Sequence, residues 1–125
     1  WREQARENLT ELPFVTIDPP GSRDLDQAVH LARDGRGLRV RYAIADVPAF
    51  VSRGSVIESE AWLRGVTYYS PDRRDPLYPP ELSQGAASLL PEGDRPAIVF
   101  DLHWSIGARP MNDPEWRDPT SHTMR

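Results

Sequence analysis

The sequence predicts an α+β fold, a mixed and mainly antiparallel sheet carrying a few short helices. Three observations point there. Residues 38 to 45 alternate in side-chain character with a period of two, as a strand with two unlike faces does. Asp34-Gly35-Arg36-Gly37 supplies the turn chemistry to join that run to a second alternating run before it. Ser55 and Glu58, three residues apart, open a helix-forming stretch that stops at Gly65.

Taken in order, residues 2 to 9 (R-E-Q-A-R-E-N-L) combine good helix formers with no apolar face, so a short exposed helix or a linker end is expected there. Phe14-Val15-Thr16-Ile17 is a β-favouring run closed by Asp18 and the rigid Pro19-Pro20-Gly21 turn. From Gln27 to Ala32, Ala28, His30 and Ala32 share one face, with Val29 and Leu31 on the other. In the next strand Leu38, Val40, Tyr42 and Ile44 oppose Arg39, Arg41, Ala43 and Ala45, and the two strands should pair as a hairpin. A helix over residues 56 to 64 follows, with Trp62 read as core packing. Val66 to Ser70 favours extended structure, and Pro71 to Pro80 reads as a Pro-rich loop. A helical turn should begin near Pro80-Glu81, and Arg95 to His103 reads as another strand. Trp104 to Arg125 holds three prolines and no helix or strand period, and is expected to be loosely ordered.

At 125 residues there is room for one domain or part of one. A hydrophobic content of 38% with 27% charged residues describes an ordinary globular chain, and no apolar run is long enough to span a bilayer. Trp1 and the Arg- and Glu-rich start do not resemble a secretory leader, so a piece of a cytoplasmic protein is expected. With no cysteine, neither a disulfide partner nor a thiolate zinc site exists, and any metal must be held by oxygen or imidazole. The net charge of −4 argues against general nucleic-acid affinity but not against local basic patches. All 15 cationic residues are Arg, a composition suited to bidentate phosphate contacts but better explained by a codon bias toward Arg.

The chemistry concentrates in T-I-D-P-P-G-S-R-D-L-D-Q, residues 16 to 27. Asp18, Asp24 and Asp26 lie so close in sequence, across a tight turn, that a cation between them would relieve their repulsion. Oxygen-only ligation suits Mg²⁺ or Mn²⁺, the metals of phosphodiester hydrolysis. A calcium loop of the EF-hand kind is excluded, because Ala28, Val29 and Gly35 stand where it needs an acidic residue, a glycine and a glutamate. From spacing alone, aspartates that merely satisfy turn backbone explain the segment as well as a metal site does. His30 and His103 fall in strands and are read as core or surface residues, and Asp46 as a structural carboxylate at the end of the strongest strand.

The run F-V-T-I-D-P-P-G-S-R-D-L-D-Q-A-V-H-L (residues 14 to 31) and Tyr42-Ala43-Ile44-Ala45-Asp46-Val47 resemble the RNB catalytic domain of the ribonuclease II and ribonuclease R exoribonucleases. Further pieces are similar in order and spacing: Arg64-Gly65, Thr67 to Pro71, Pro76 to Ser83, Ser88 to Pro91 and Arg95-Pro96-Ala97. The resemblance covers about residues 9 to 103, with residues 1 to 8 as a linker or helix end and 104 to 125 as a tail unlike the family. It implies the N-terminal portion of an incomplete RNB domain. It also implies a Mg²⁺-dependent enzyme that removes nucleoside 5′-monophosphates from the 3′ end of single-stranded RNA. By that resemblance Asp18, Asp24 and Asp26 are the metal-binding aspartates, and Asp26 and Gln27 occupy catalytic positions, Gln27 standing where the family has a fourth aspartate. Tyr69 takes the place of an aromatic that stacks on an RNA base. Arg73 and Arg74, on the following loop, are candidates for phosphate contact or a solvated surface. The alternatives are a non-catalytic RNA-binding relative, suggested by Gln27, and a structural domain whose acidic turn holds no ligand.

Overall fold

The computed structural model describes residues 6–104 and the backbone of 120–124. Its main sheet has five strands: β1 (Glu7–Asn8), β2 (Gln27–Asp34), β3 (Gly37–Ala45), β6 (Arg95–Trp104) and β7 (Thr120–Met124), in the order β1-β7-β6-β3-β2. All neighbours are antiparallel except β1 and β7. The β2–β3 hairpin pairs Gln27 with Ile44 at one end and Asp34 with Gly37 at the other, in the register that the Asp34 to Gly37 turn demands. A second, two-stranded sheet pairs β4 (Tyr68–Tyr69) with β5 (Arg74–Asp75).

The register decides which face is buried. Ala28, Ala43 and Val99 lie in one cross-strand row, and Ala45 and Ala97 in the next. Ala43 and Ala97 are wholly buried and Val99 almost so. Small side chains here let Leu9, Leu25, Leu89 and Leu90 press directly onto the sheet, and these residues form the core. Farther along the same face the rows become charged. Arg39 holds Asp101 through two hydrogen bonds of 2.8 and 2.5 Å, Arg41 reaches Asp101 at 3.4 Å, and His103 Nδ1 meets Asp34 at 2.9 Å.

The opposite face carries the more apolar stripe, including the row Leu31, Val40 and Leu102, and it is largely open to solvent. The clearest hydrophobic alternation in the sequence thus marks the face that the described residues leave largely uncovered.

Helix α1 (Val56–Arg64) begins and ends where the sequence places it. The Ser55 hydroxyl accepts from the Glu58 N–H, and the Gly65 N–H closes the last turn on Ala61 with Gly65 at φ 77°. The Glu58 carboxylate takes the N–H of Gly54. The helical turn begun at Pro80 continues as a π-helical turn over Leu82–Ala86, closed by the Ala87 N–H on the Leu82 carbonyl.

Five expectations need correction. Trp62 is not core packing: it is 81% exposed, because α1 buries only Ala61. Glu7–Asn8 is a strand and not part of a helix, its pairing with β7 outweighing local propensity. Phe14 to Ile17 contributes a single bridge, with Val15 and Val29 exchanging N–H···O bonds of 2.9 and 2.8 Å. Within the Pro-rich loop, Arg74–Asp75 is strand β5. In the tail, Trp104 completes β6 and Thr120–Met124 pairs with β6, while the rest of that expectation lies outside the described residues. No helix among the described residues is long and apolar enough to cross a membrane.

Candidate active site

The C-terminal end of the acidic loop is held from two sides by hydrogen bonds. The Asp26 carbonyl accepts from the Ala45 N–H at 2.9 Å, extending the β2–β3 ladder by one residue. On the other side Leu25 exchanges bonds with the segment that follows the π-helical turn. Its N–H donates to Ser88 Oγ at 2.9 Å, and its carbonyl accepts from Leu89 N–H at 2.7 Å. Ser88 Oγ also donates to the Arg23 carbonyl at 2.6 Å. Leu25 is buried between these supports, so the extended chain turns its neighbours Asp24 and Asp26 away from the core.

Two cavities adjoin at Asp26. One, of about 180 Å³, is lined by Asp18, Asp26, Gln27 and Tyr42 among others. The other, of about 240 Å³, is lined by Asp24, Asp26, Tyr69 and Arg74 with the loop around Tyr78. The Tyr42 hydroxyl donates to Gln27 Oε1 and orients that amide on the rim of the first cavity. Arg74 reaches across from β5 and donates to the Asp24 carboxylate at 2.7 Å. Its register partner Tyr69 is exposed beside it.

The structure therefore brings Asp18, Asp26 and Gln27 to one cavity and Asp24, Asp26, Tyr69 and Arg74 to the other. It does not gather the three aspartates: among the described residues no cluster of three acidic or histidine side chains is arranged to hold a metal ion. The donors of the first cavity nevertheless suit a hard cation. Mg²⁺ keeps most of its water and needs only one or two carboxylates, which Asp18 and Asp26 provide. Arg73 lines neither cavity and pairs with Asp75 at 2.9 Å. Asp46 is buried and structural: its carboxylate binds the Arg6 guanidinium at 2.7 Å.

Sequence reasoning missed Tyr42, Arg74 as the partner of Asp24, and Ser88. Tyr42 is legible in hindsight, since it lies diagonally across the hairpin from Gln27. Ser88 lies 63 residues from Leu25, and no local pattern reveals such a contact.

The profile of the RNB domain matches residues 6–108, most of the chain. The Exoribonuclease 2 of Photorhabdus laumondii is 41% identical over 98 residues, covering 78% of this chain and 15% of that protein. Two structures of Mycoplasma genitalium RNase R each superpose over 95% of this chain. The complex with ribose-methylated single-stranded RNA does so with a TM-score of 0.82 and 30% identity, over 18% of that chain. The complex with double-stranded RNA gives 0.86 and 32%, over 20% of that chain. The chain spans less than a quarter of the length of these relatives. A family match over most of the chain, together with 41% identity to one such enzyme and the shared fold, shows that the chain belongs to the RNB domain family of ribonuclease II and ribonuclease R exoribonucleases, of whose length it represents a part.

Proposed function

We propose that this chain supplies the acidic loop and base-stacking tyrosine of a Mg²⁺-dependent 3′–5′ exoribonuclease that degrades single-stranded RNA to nucleoside 5′-monophosphates in the cytoplasm. The observation that carries this reading is the position of Asp26 on the wall shared by two cavities, one with Asp18 and the other with Tyr69 and Arg74. In this reading Asp18, Asp26 and the Gln27 amide oxygen hold Mg²⁺, with Asp24 completing the acidic surround. When bound, Mg²⁺ supplies charge neutralisation at the phosphoryl oxygens and makes water a better nucleophile. Tyr69 stacks on a base near the 3′ end, an interaction tolerant of sequence. Arg74, released in part from Asp24, meets a phosphate, with Arg73 at the edge of the same loop. Asp26 takes the proton of the attacking water, because Gln27 beside it is a neutral amide and cannot.

Mn²⁺ or Mg²⁺ should raise the melting temperature of the wild-type chain and leave that of an Asp18→Asn/Asp26→Asn chain unchanged, since only the folded form binds the ion. Equal shifts in both would sink the metal assignment. Activity is tested in a chimera in which residues 6–104 replace the matching segment of the Mycoplasma RNase R. Trimming of a labelled single-stranded oligonucleotide should be faster in Gln27→Asp than with Gln27 present.

The second reading, an RNA-binding relative that does not cut, is favoured by one contact. Tyr42 occupies the Gln27 oxygen that would otherwise face a metal. A chimera that retains RNA but leaves it full length, with Gln27 and with Asp alike, would support that reading over the first.

A further inference from the structure

Beside the acidic site lies a third cavity, of about 480 Å³, lined by the start of the 3₁₀ turn, the inner edge of α1 and the loop at Tyr78. It shares Val47, Leu77 and Tyr78 with the cavity lined by Asp24, Asp26 and Tyr69, so the two cavities are neighbours on one stretch of surface between the acidic loop and α1. Its lining includes Trp62 and Arg53. The Trp62 indole is 81% exposed and contributes nothing to the core. Arg53 has neither a hydrogen bond nor an ion pair among the described residues, in contrast to Arg39, Arg64, Arg73 and Arg74. The acidic member of this lining, Glu58, is engaged by the N–H of Gly54.

A large aromatic face, a guanidinium without a partner among the described residues and a neighbouring cavity already lined by a tyrosine are the parts of a stacking platform for a polyanion. We propose that this groove is an extension of the RNA path, with one base stacked on Trp62 and a neighbouring phosphate paired with Arg53. The inference rests on the reading of the acidic loop as an RNA site and adds a second contact region to it. In a chain of net charge −4, affinity for RNA must come from localised cations, and Arg53 supplies one in a cavity that none of the three aspartates lines.

The test is fluorescence anisotropy of the 125-residue chain with a labelled, cleavage-resistant 2′-O-methyl oligouridine of about 12 nucleotides, long enough to reach both contact regions at roughly 3 Å or more per nucleotide. Trp62→Ala should weaken binding by about 5- to 150-fold, whereas Trp62→Phe should retain most of the affinity. Arg53→Gln should weaken binding and lower the slope of log affinity against log salt by about 0.7. Because both positions are exposed, all three variants should melt as the wild type does. If the wild type binds and Tyr69→Ala weakens it, but Trp62→Ala and Arg53→Gln change nothing, the groove proposal is overturned and the groove is left to a protein partner. If the wild type and Tyr69→Ala both fail to bind, the reading of the acidic loop as an RNA site falls first and the groove proposal with it.

Discussion

At the scale of single residues, Ser88 shows how much one buried hydroxyl can position. It is 2% exposed, accepts from the Leu25 N–H and donates to the Arg23 carbonyl, so it ties together the two peptides on either side of Asp24. Ser88→Ala would leave a buried N–H without its acceptor and should cost about 1–3 kcal/mol. Denaturant unfolding of wild type and variant measures that difference, and an unchanged midpoint would show that the loop is held by the Leu89–Leu25 bond alone. Asp24 and Asp26 were legible as chemistry-bearing residues from their spacing, and their family role from the ordered motifs around them. Their division between two cavities was not, because it depends on Arg74, which arrives from another sheet.

At the scale of the element, the charged rows of β2, β3 and β6 make the sheet sensitive to acid. The Arg39 guanidinium, through its hydrogen bonds, holds the Asp101 carboxyl below the ordinary carboxylate range, against the opposing effect of burial. A depressed folded-state value means that the stabilisation is fully present above the unfolded value of roughly 3.9 and is lost as pH falls through the folded one. Both side chains are partly exposed, so the pair contributes about 1 kcal/mol or less. Asp101→Asn should therefore be the less stable protein near neutrality, with the gap closing at pH values below the carboxylate range. Urea titrations at neutral and acid pH check this, and a gap independent of pH would assign the loss to packing. Helix α1 is the element most completely predictable from sequence, because a cap at Ser55 and a glycine at Gly65 are local signals. Its orientation is not local, and so Trp62 was assigned to a core that it does not enter.

At the scale of the whole molecule, the sheet is two-faced in an unusual sense: its small-residue face is buried and its large apolar face is open. Leu31 and Leu102, register partners of Val40 on that open face, are both substantially exposed. A contiguous apolar patch of this kind promotes association. Leu31→Thr together with Leu102→Thr should shift the chain toward monomer and raise its solubility, at a stability cost of roughly 1 kcal/mol or less given their exposure. Sedimentation at increasing concentration reads the outcome. Unaltered association would place the sticky surface elsewhere, with the exposed Trp62 and Leu63 of α1 the next residues to replace.

The sequence by itself determined the α+β class, the β2–β3 hairpin with its turn, the ends of α1, and the acidic segment with its family resemblance. All of these rest on signals within a few residues of one another: a period of two, a glycine-bearing turn, a cap, an ordered motif. Only the tertiary structure decided which sheet face is buried, that Glu7–Asn8 extends the sheet, that Arg74 binds Asp24, and that Asp26 stands between two cavities. The physical reason is that each of these depends on the register between segments far apart in the chain. An alternating strand carries two faces, and no local pattern states which of them the rest of the molecule will cover.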